Sequence, residues 1–244
     1  MGAFSYLENL ALDTLHRLRG EQPWNEEIMV IGIDDSTLDS LGLMPLSRRY
    51  YAELLEILNE AGAGVVALDF LMTDESPEDE ALSEAMLTYK HNAVVLAGAT
   101  SVGGRFLNPS QILLDSAVAS GHINQEPDID GITRKHILYT SHTDSLASAT
   151  AKAYSLTTNL INLPLGQLMH INWPGNIENV YYASLIDVLN KKIPADKLKG
   201  KVIFVGSTAT AQGQQLRTPF NTRAPVWGVY IHAAVMHNLL EQNW

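Results

Sequence analysis

The sequence predicts an α/β fold, in which a mostly parallel but mixed β-sheet is flanked by helices. Short, continuous apolar runs alternate along the chain with segments whose apolar residues recur at helical spacing. Apolar runs of this kind are typical of parallel strands that helices cover on both faces. The first two runs also end in acidic residues, which commonly begin the helix after a strand.

The first three strands and the helices between them follow this alternation directly. Strands are predicted over residues 28–33, 65–68 and 93–97, and a last buried strand over residues 201–205. Helices are predicted over residues 50–61, where the pattern stops at Gly62 and Gly64, and over residues 77–89. A β-α-β-α-β order indicates a layered sheet with right-handed crossovers.

The middle of the chain has a different pattern. Residues 121–124 and 132–138 flank a turn that contains Asp130-Gly131, a strong turn dipeptide. We therefore predict an antiparallel β-hairpin between these two segments, near the middle of the chain.

The remaining elements complete a single domain over residues 1–244. Helical spacing predicts terminal helices over residues 4–19 and 228–241, and in the first of them Asp13 and Arg17 are spaced to pair on the exposed side. Further helices are predicted over residues 145–156 and 182–190, and a short strand over residues 168–173. We find no internal repeat and no linker long enough to separate two domains.

Composition excludes several classes of function. The 27 acidic and 16 basic residues give a formal charge of −11, which argues against binding to nucleic acid or to anionic lipid. The chain has no cysteine, so disulfides and cysteine-based zinc sites are excluded. No apolar run approaches the roughly 20 residues that span a bilayer, and residues 1–20 do not have the pattern of a signal peptide. Two interpretations stay open: a soluble cytoplasmic protein, or part of a protein whose membrane segments lie outside this sequence.

Candidate ligand-binding residues stand at the predicted strand ends. Asp34, Asp35 and Asp69 follow the first two strands, and Ser207 and Thr208 follow the last one. In open α/β sheets the ligand crevice lies beyond the carboxyl ends of the strands, so the three aspartates would favour a cation, an amine or a hydroxyl-rich molecule. The alternatives are that Asp34 or Asp35 caps the next helix, and that residues 206–210 form a tight turn rather than an anion site with backbone N–H donors.

The usual catalytic patterns are missing. The sequence has no phosphate-binding loop, dinucleotide fingerprint, serine-hydrolase elbow or H-E-x-x-H zinc motif. A phosphoacceptor domain needs a lysine at the end of its last strand, whereas Lys201 stands at the start. His232 and His237 are five residues apart and would diverge by about 140° on a helix. We therefore predict no catalytic residue, no metal and no cofactor.

Several segments taken together resemble the second type of CHASE domain, and they occur in the order that this family has them. The similar stretches are residues 7–19, 28–38 (IMVIGIDDSTL), 61–70 (AGAGVVALDF), 121–134 (GHINQEPDIDGITR), 171–175 (INWPG), 201–208 (KVIFVGST), 218–220 (TPF) and 229–240 (VYIHAAVMHNLL).

The resemblance implies an extracytoplasmic, periplasmic sensory domain of an inner-membrane signalling receptor. The family's receptors have one membrane helix before the domain and usually three after it, so residues 1–20 would lead from the membrane and residues 228–244 would lead back to it. The output domain would be an adenylate or guanylate cyclase, a diguanylate cyclase, a histidine kinase or a serine/threonine kinase. The stimulus would be an unknown small molecule or protein, and a homodimer is an open possibility. The alternatives are a structural or partner-binding periplasmic module without a small ligand, and an unrecognised α/β hydrolase.

Overall fold

The computed structural model describes residues 3–101, 103–210, 215–221 and 226–244, with side chains from residue 8 onward. Within these ranges the strands are β1 (Ile28–Ile33), β2 (Val66–Leu71), β3 (Val94–Thr100), β4 (Phe106–Leu107), β5 (Ala119–His122), β6 (Lys135–Ile137), β7 (Leu168–His170), β8 (Tyr181–Ser184), β9 (Val202–Ser207), β10 (Gln215–Leu216) and β11 (Val226–Trp227). The helices are α1 (Ala3–Arg19), α2 (Asp35–Leu41), α3 (Arg48–Ala61), α4 (Asp79–Thr88), α5 (Gln111–Ser116), α6 (Leu146–Ser155), α7 (Leu185–Leu189), α8 (Ala195–Leu198) and α9 (Val229–Glu241), with single 3-10 turns at Lys90–Asn92 and Ile177–Asn179.

A seven-stranded sheet forms the centre of the described chain. Its strands run in the order β4-β3-β2-β9-β1-β8, and β5 also pairs with β3. All of these pairings are parallel except that of β3 with β4. The prediction of a mostly parallel, mixed sheet flanked by helices is therefore confirmed.

The most apolar strands occupy the middle of the sheet. All six residues of β1 are buried, and β1 pairs with β9 from Ile28 opposite Val202 to Ile33 opposite Ser207. This register brings the carboxyl ends of the two strands to the same level. Residues that follow β1 and β9 consequently share one edge of the sheet, where the candidate site residues lie.

Helices α6 and α9 pack against each other and against the sheet. Helix α9 is apolar on nearly all sides, and its residues from Val229 to Leu239 are buried, as expected for a helix enclosed by other elements. Helix α3 buries one stripe, formed by Tyr51, Leu54, Leu55 and Leu58. It ends at Gly62, whose positive φ of 72° suits a glycine after a helix.

An antiparallel pair lies near the middle of the chain, but its strands differ from those predicted. The Asp130-Gly131 turn forms, with the Gly131 amide donating to the carbonyl of Asp128 at 2.8 Å. Strand β6 then pairs with β7 instead of with residues 121–124. Those residues overlap β5, whose small side chains fit against β3 in parallel register. Because this segment pairs with the main sheet, it does not form the hairpin that the turn predicted.

Two further predictions are wrong in their details. Residues 182–190 do not form one helix: Tyr181–Ser184 is the edge strand β8, and α7 begins only at Leu185. Asp13 does not face solvent with Arg17. It is 5% exposed and accepts two hydrogen bonds of 2.8 Å from Arg134, because a buried arginine requires carboxylate partners.

The last residues of α1 and α9 meet at Asn172. Arg19, at the end of α1, donates to the side chain of Asn172. Asn238, in the last turns of α9, exchanges two 2.9 Å hydrogen bonds with the Asn172 backbone. A single residue therefore connects the ends of the two terminal helices.

Candidate functional site

The carboxyl edge of β1, β8 and β9 carries a cluster of hydrogen-bonded polar groups around Asp34. One Asp34 oxygen accepts from the Thr37 amide at 2.9 Å, which caps α2. The same oxygen accepts from the hydroxyls of Ser36, Thr37 and Ser184, each at 2.8 Å. The other oxygen accepts from the Tyr182 hydroxyl at 3.0 Å. The capping alternative is thus confirmed for Asp34.

These donors determine the ionisation of Asp34. Burial acts to raise its pKa, but the hydrogen bonds from Ser184, Thr37 and Ser36 favour the carboxylate and outweigh burial, so the pKa is lowered. Asp34 is therefore ionised at neutral pH, with its negative charge held by hydroxyls and an amide.

Asp35 and Thr208 belong to the same edge. Asp35 accepts from the amide of Thr210 at 3.1 Å and from its hydroxyl at 2.6 Å. Thr208 shares a 3.1 Å hydrogen bond with the Tyr182 hydroxyl. A Cβ at Gly32 would collide with both of these hydroxyls, so the cluster needs glycine there. The polar groups of this cluster are hydrogen-bonded to one another, which is typical of a cluster that stabilises the fold.

Asp69 and Ser207 lie elsewhere, at a cavity of about 220 Å³. Its polar wall contains Asp69, Ser207, Gln125 and His232. Its apolar wall is formed by Met44, Phe70, Leu71, Ile123 and Val229, with Gly228 beside them. The cavity is therefore a mostly apolar pocket with a few polar groups, which is the usual character of a small-molecule site.

The sheet explains why the predicted residues separate into two groups. Ser207 and Thr208 are consecutive at the end of β9, and successive side chains of a strand point to opposite faces. Thr208 joins the Asp34 cluster, while Ser207 lines the cavity with Asp69. Asp34, Asp35 and Thr208 are thus brought together, and Asp69 and Ser207 form a second pair.

The electrostatics of the cavity differ from those of the Asp34 cluster. Burial raises the pKa of Asp69 to about 8, because its 11% exposed side chain has little water to stabilise the carboxylate. His232 approaches Asp69 at 3.9 Å between Nε2 and Oδ1. Burial lowers the pKa of His232 to about 3, with a smaller contribution from nearby His122. Both groups are uncharged at neutral pH, so their approach is not an ion pair.

A row of buried histidines extends behind the cavity, and sequence reasoning missed it. The rings of His122 and His136 lie 6.2 Å apart, and those of His136 and His232 lie 5.9 Å apart. Burial, together with the other two imidazoles, lowers the pKa of His136 well below its usual value. Among the described residues, no group of three or more His, Asp or Glu side chains has the arrangement of a metal site. The row therefore places uncharged, polar imidazole rings behind the cavity wall.

The whole chain, residues 1–244, matches the family model described as CHASE2 domain. The chain belongs to the CHASE2 family. A search of curated proteins and one of solved structures both give no significant match. The resemblance inferred from the ordered segments is thereby confirmed.

CHASE2 domains are extracytoplasmic and sensory rather than catalytic. The chain accordingly has the role of a sensor in signal transduction. Among the described residues, none of its helices combines the length and hydropathy needed to cross a bilayer.

Proposed function

We propose that this CHASE2 chain is the periplasmic input domain of an inner-membrane receptor, that it detects a small molecule in the Asp69 cavity, and that it controls a cytoplasmic cyclase or kinase. The chain would act as one domain, with residues 1–20 leading from the membrane and residues 228–244 leading back to it. The proposal includes no catalysis by the domain itself.

The course of helix α9 is the observation that carries this proposal. Its first turn supplies Val229 and His232 to the cavity wall. Its 13 residues extend over about 20 Å, and its last turns contact Asn172, which also receives Arg19 from α1. A ligand that favours one position of this helix would shift the ends of both terminal helices, since a ligand moves an equilibrium through its different affinities for two conformations.

The location is tested with reporters inserted after His142, which lies in an exposed turn. In the full-length protein, alkaline phosphatase inserted there should be active, because the enzyme needs the periplasm, and green fluorescent protein should be dark. A fluorescent, phosphatase-negative pair would place the domain in the cytoplasm and contradict the proposal.

The transmission step is tested at Asn172. Asn172→Ala keeps the backbone hydrogen bonds with Asn238 of α9 but removes the side-chain acceptor of Arg19 from α1. It therefore weakens the connection between the terminal helices and should change the basal output of the full-length receptor several-fold. Asn159→Ala, at an exposed position, is the matched control and should leave the output unchanged. Equal output from both variants and the parent would refute transmission through this contact.

A partner-binding role is the second candidate, because α1 presents apolar side chains to solvent. Leu10, Leu15 and Leu18 are 49%, 61% and 78% exposed. A second copy of the chain would cover them in a homodimer. Sedimentation of the purified chain and of Leu18→Glu tests this candidate: a dimer that the substitution dissociates supports it, and a monomer in both cases refutes the homodimer.

A further inference from the structure

We propose that the Asp69 cavity binds a small organic primary amine as its cation, with the ammonium group on Asp69 and an oxygen of the ligand on Gln125. The inference deepens the proposed function by naming the chemical class of the stimulus, and it rests on that function only in treating the cavity as the sensory site.

The cavity holds an acid without a compensating cation. Its only titratable wall residues in the described chain are Asp69 and His232, and behind His232 stand His136 and His122. All three histidines have lowered pKa values because burial disfavours their charged forms. None of them supplies a positive charge at neutral pH, so a cationic ligand would be the partner that ionises Asp69.

Residues of the cavity wall also contain polar atoms without a hydrogen-bond partner. In the part of the chain that the structure describes, three residues of the cavity wall each have a buried side-chain atom without a hydrogen-bond partner: Ser207 Oγ, His232 Nδ1 and Gln125 Nε2. His232 is 1% exposed, so its ring is almost completely enclosed by protein. A buried polar atom without a partner is costly, and a ligand that supplies the partners recovers that cost.

The unpaired atoms match an amine that also carries oxygen. An ammonium group has three N–H donors, as the lysine side chain has, which suit the Asp69 carboxylate, the Ser207 hydroxyl and a neutral imidazole. Gln125 Oε1 lies 3.1 Å from His136 Nδ1, which leaves the Gln125 amide N–H groups for an acceptor oxygen. An anionic ligand would meet the acid Asp69 and no cationic wall residue among those described.

The volume limits the ligand's size. A cavity of about 220 Å³ is smaller than the roughly 300–1,000 Å³ that is usual for pockets of drug-sized ligands. Four carbons between an amine and a hydroxyl fit this space and would lie along the apolar wall of Phe70, Leu71 and Val229. The matched probes are therefore 4-amino-1-butanol, 1,4-butanediol and 4-hydroxybutanoate, which share four carbons and one hydroxyl end and have an ammonium, a hydroxyl and a carboxylate group at the other end.

Binding of the amine has a proton balance. Below pH 8 the empty cavity holds Asp69 as the neutral acid, and the free amine is already protonated because its pKa is about 10, like that of lysine. The ammonium cation therefore enters as Asp69 loses its proton to the solvent, and one ion pair forms in the cavity. Affinity for the amine should rise about ten-fold from pH 6 to pH 7 and approach a plateau above pH 8.

Isothermal titration calorimetry of the purified chain tests this inference. We expect 4-amino-1-butanol to bind at least ten-fold more tightly than the diol or the carboxylate at pH 8. At pH 6 its binding enthalpy should vary with the buffer's ionisation enthalpy, as release of about one proton requires. Asp69→Asn should weaken amine binding at least ten-fold, whereas Asp39→Asn, the same change at an exposed acid, should not alter it. Circular dichroism verifies that both variants are folded.

Three outcomes would overturn the inference: equal binding of amine and diol, a preference for the carboxylate, or no heat from the amine at 10 mM. If the amine fails while the reporters place the domain in the periplasm and Asn172→Ala alters the output, only the ligand class is wrong. If the amine binds while the reporters place the domain in the cytoplasm, the proposed function is wrong and the binding site stands.

Discussion

Substitution of Asp69 by asparagine should change how the stability of the domain depends on pH. Burial raises the pKa of Asp69 to about 8, whereas an aspartate in an unfolded chain titrates near 3.9. Between these values the folded state keeps a proton that the unfolded state has lost. The contribution of Asp69 to stability is therefore fully present below about pH 4 and is lost as pH rises towards 8.

The magnitude follows from the two pKa values. Each pH unit inside the window costs at most about 1.36 kcal/mol of unfolding free energy. From pH 5 to pH 7 the loss amounts to about 2.6 kcal/mol, an upper value because a buried site can relax around its charge. Asparagine has nearly the same shape and no titration, so Asp69→Asn should lose this slope and become more stable relative to the parent as pH rises.

Urea unfolding at pH 5, 6, 7 and 8 measures the difference. The buried histidines lower the stability of both proteins at acidic pH, so their contribution cancels when the variant is compared with the parent. Asp39→Asn serves as the exposed control and should give a curve parallel to that of the parent. If the curve of Asp69→Asn is also parallel to the parent's, the folded state does not raise the pKa of Asp69, which refutes this prediction.

Three further substitutions test the packing around the sheet by urea unfolding at pH 7. Asp34→Ala should cost about 3 kcal/mol, since it removes a helix cap worth about 1 kcal/mol and leaves the buried hydroxyls of Thr37 and Ser184 without this acceptor at about 1 kcal/mol each; a loss below about 0.5 kcal/mol would contradict a structural role. Arg134→Met leaves Asp13 buried without its partner and should cost about 3–5 kcal/mol of unfolding free energy, with faster hydrogen exchange in α1. The control Lys152→Met, at an exposed ion pair, should cost under about 1 kcal/mol. Gly121→Ala places a Cβ 2.7 Å from the Leu146 backbone and should cost about 1–3 kcal/mol, while Gly228→Ala meets nothing within 4 Å and should stay within about 0.5 kcal/mol of the parent.

Elements with strong local signals could be predicted from the sequence. Strand β1 is a continuous apolar run with both faces buried, so its type and bounds follow from composition and length alone. The end of α3 follows from Gly62, which supplies the left-handed conformation. The cap at Asp34 follows from its position before α2, since an aspartate there can reach the amide three residues later.

Pairings between distant segments could not be predicted in this way. Nothing local to β5 shows that it joins β3 rather than the segment beyond the Asp130-Gly131 turn. Likewise Tyr181 and Tyr182 are strand residues because β8 pairs with β1, although the apolar pattern of residues 182–190 also fits a helix. The choice in each case depends on which sheet edge is open, and this is a property of the assembled fold.

The cavity was the hardest feature to infer, because its residues come from separate elements. Asp69 and Ser207 could be named because the sequence places them just after predicted strands, although Asp69 lies within β2. His232, by contrast, lies on α9, and Gln125 lies between β5 and β6. The spacing of His232 from His237 says only that these two do not meet, whereas the relevant neighbours of His232 are His136 and, behind it, His122. The spacing of these histidines along the sequence does not predict that their rings lie in a row.

The Asp34 cluster and the Asp69 cavity differ in how many of their polar atoms are already hydrogen-bonded, and this difference indicates where a ligand has most effect. The Asp34 cluster pairs its own donors and acceptors, so a ligand there would have to replace hydrogen bonds that already exist. The residues of the cavity wall include Ser207, Gln125 and His232, each of which has a side-chain atom without a hydrogen-bond partner in the described chain, so a ligand there competes with fewer existing hydrogen bonds. A ligand at 100 times its dissociation constant stabilises the folded domain by about 2.7 kcal/mol. Because His232 belongs to α9, that free energy acts on the helix whose far end meets α1 at Asn172.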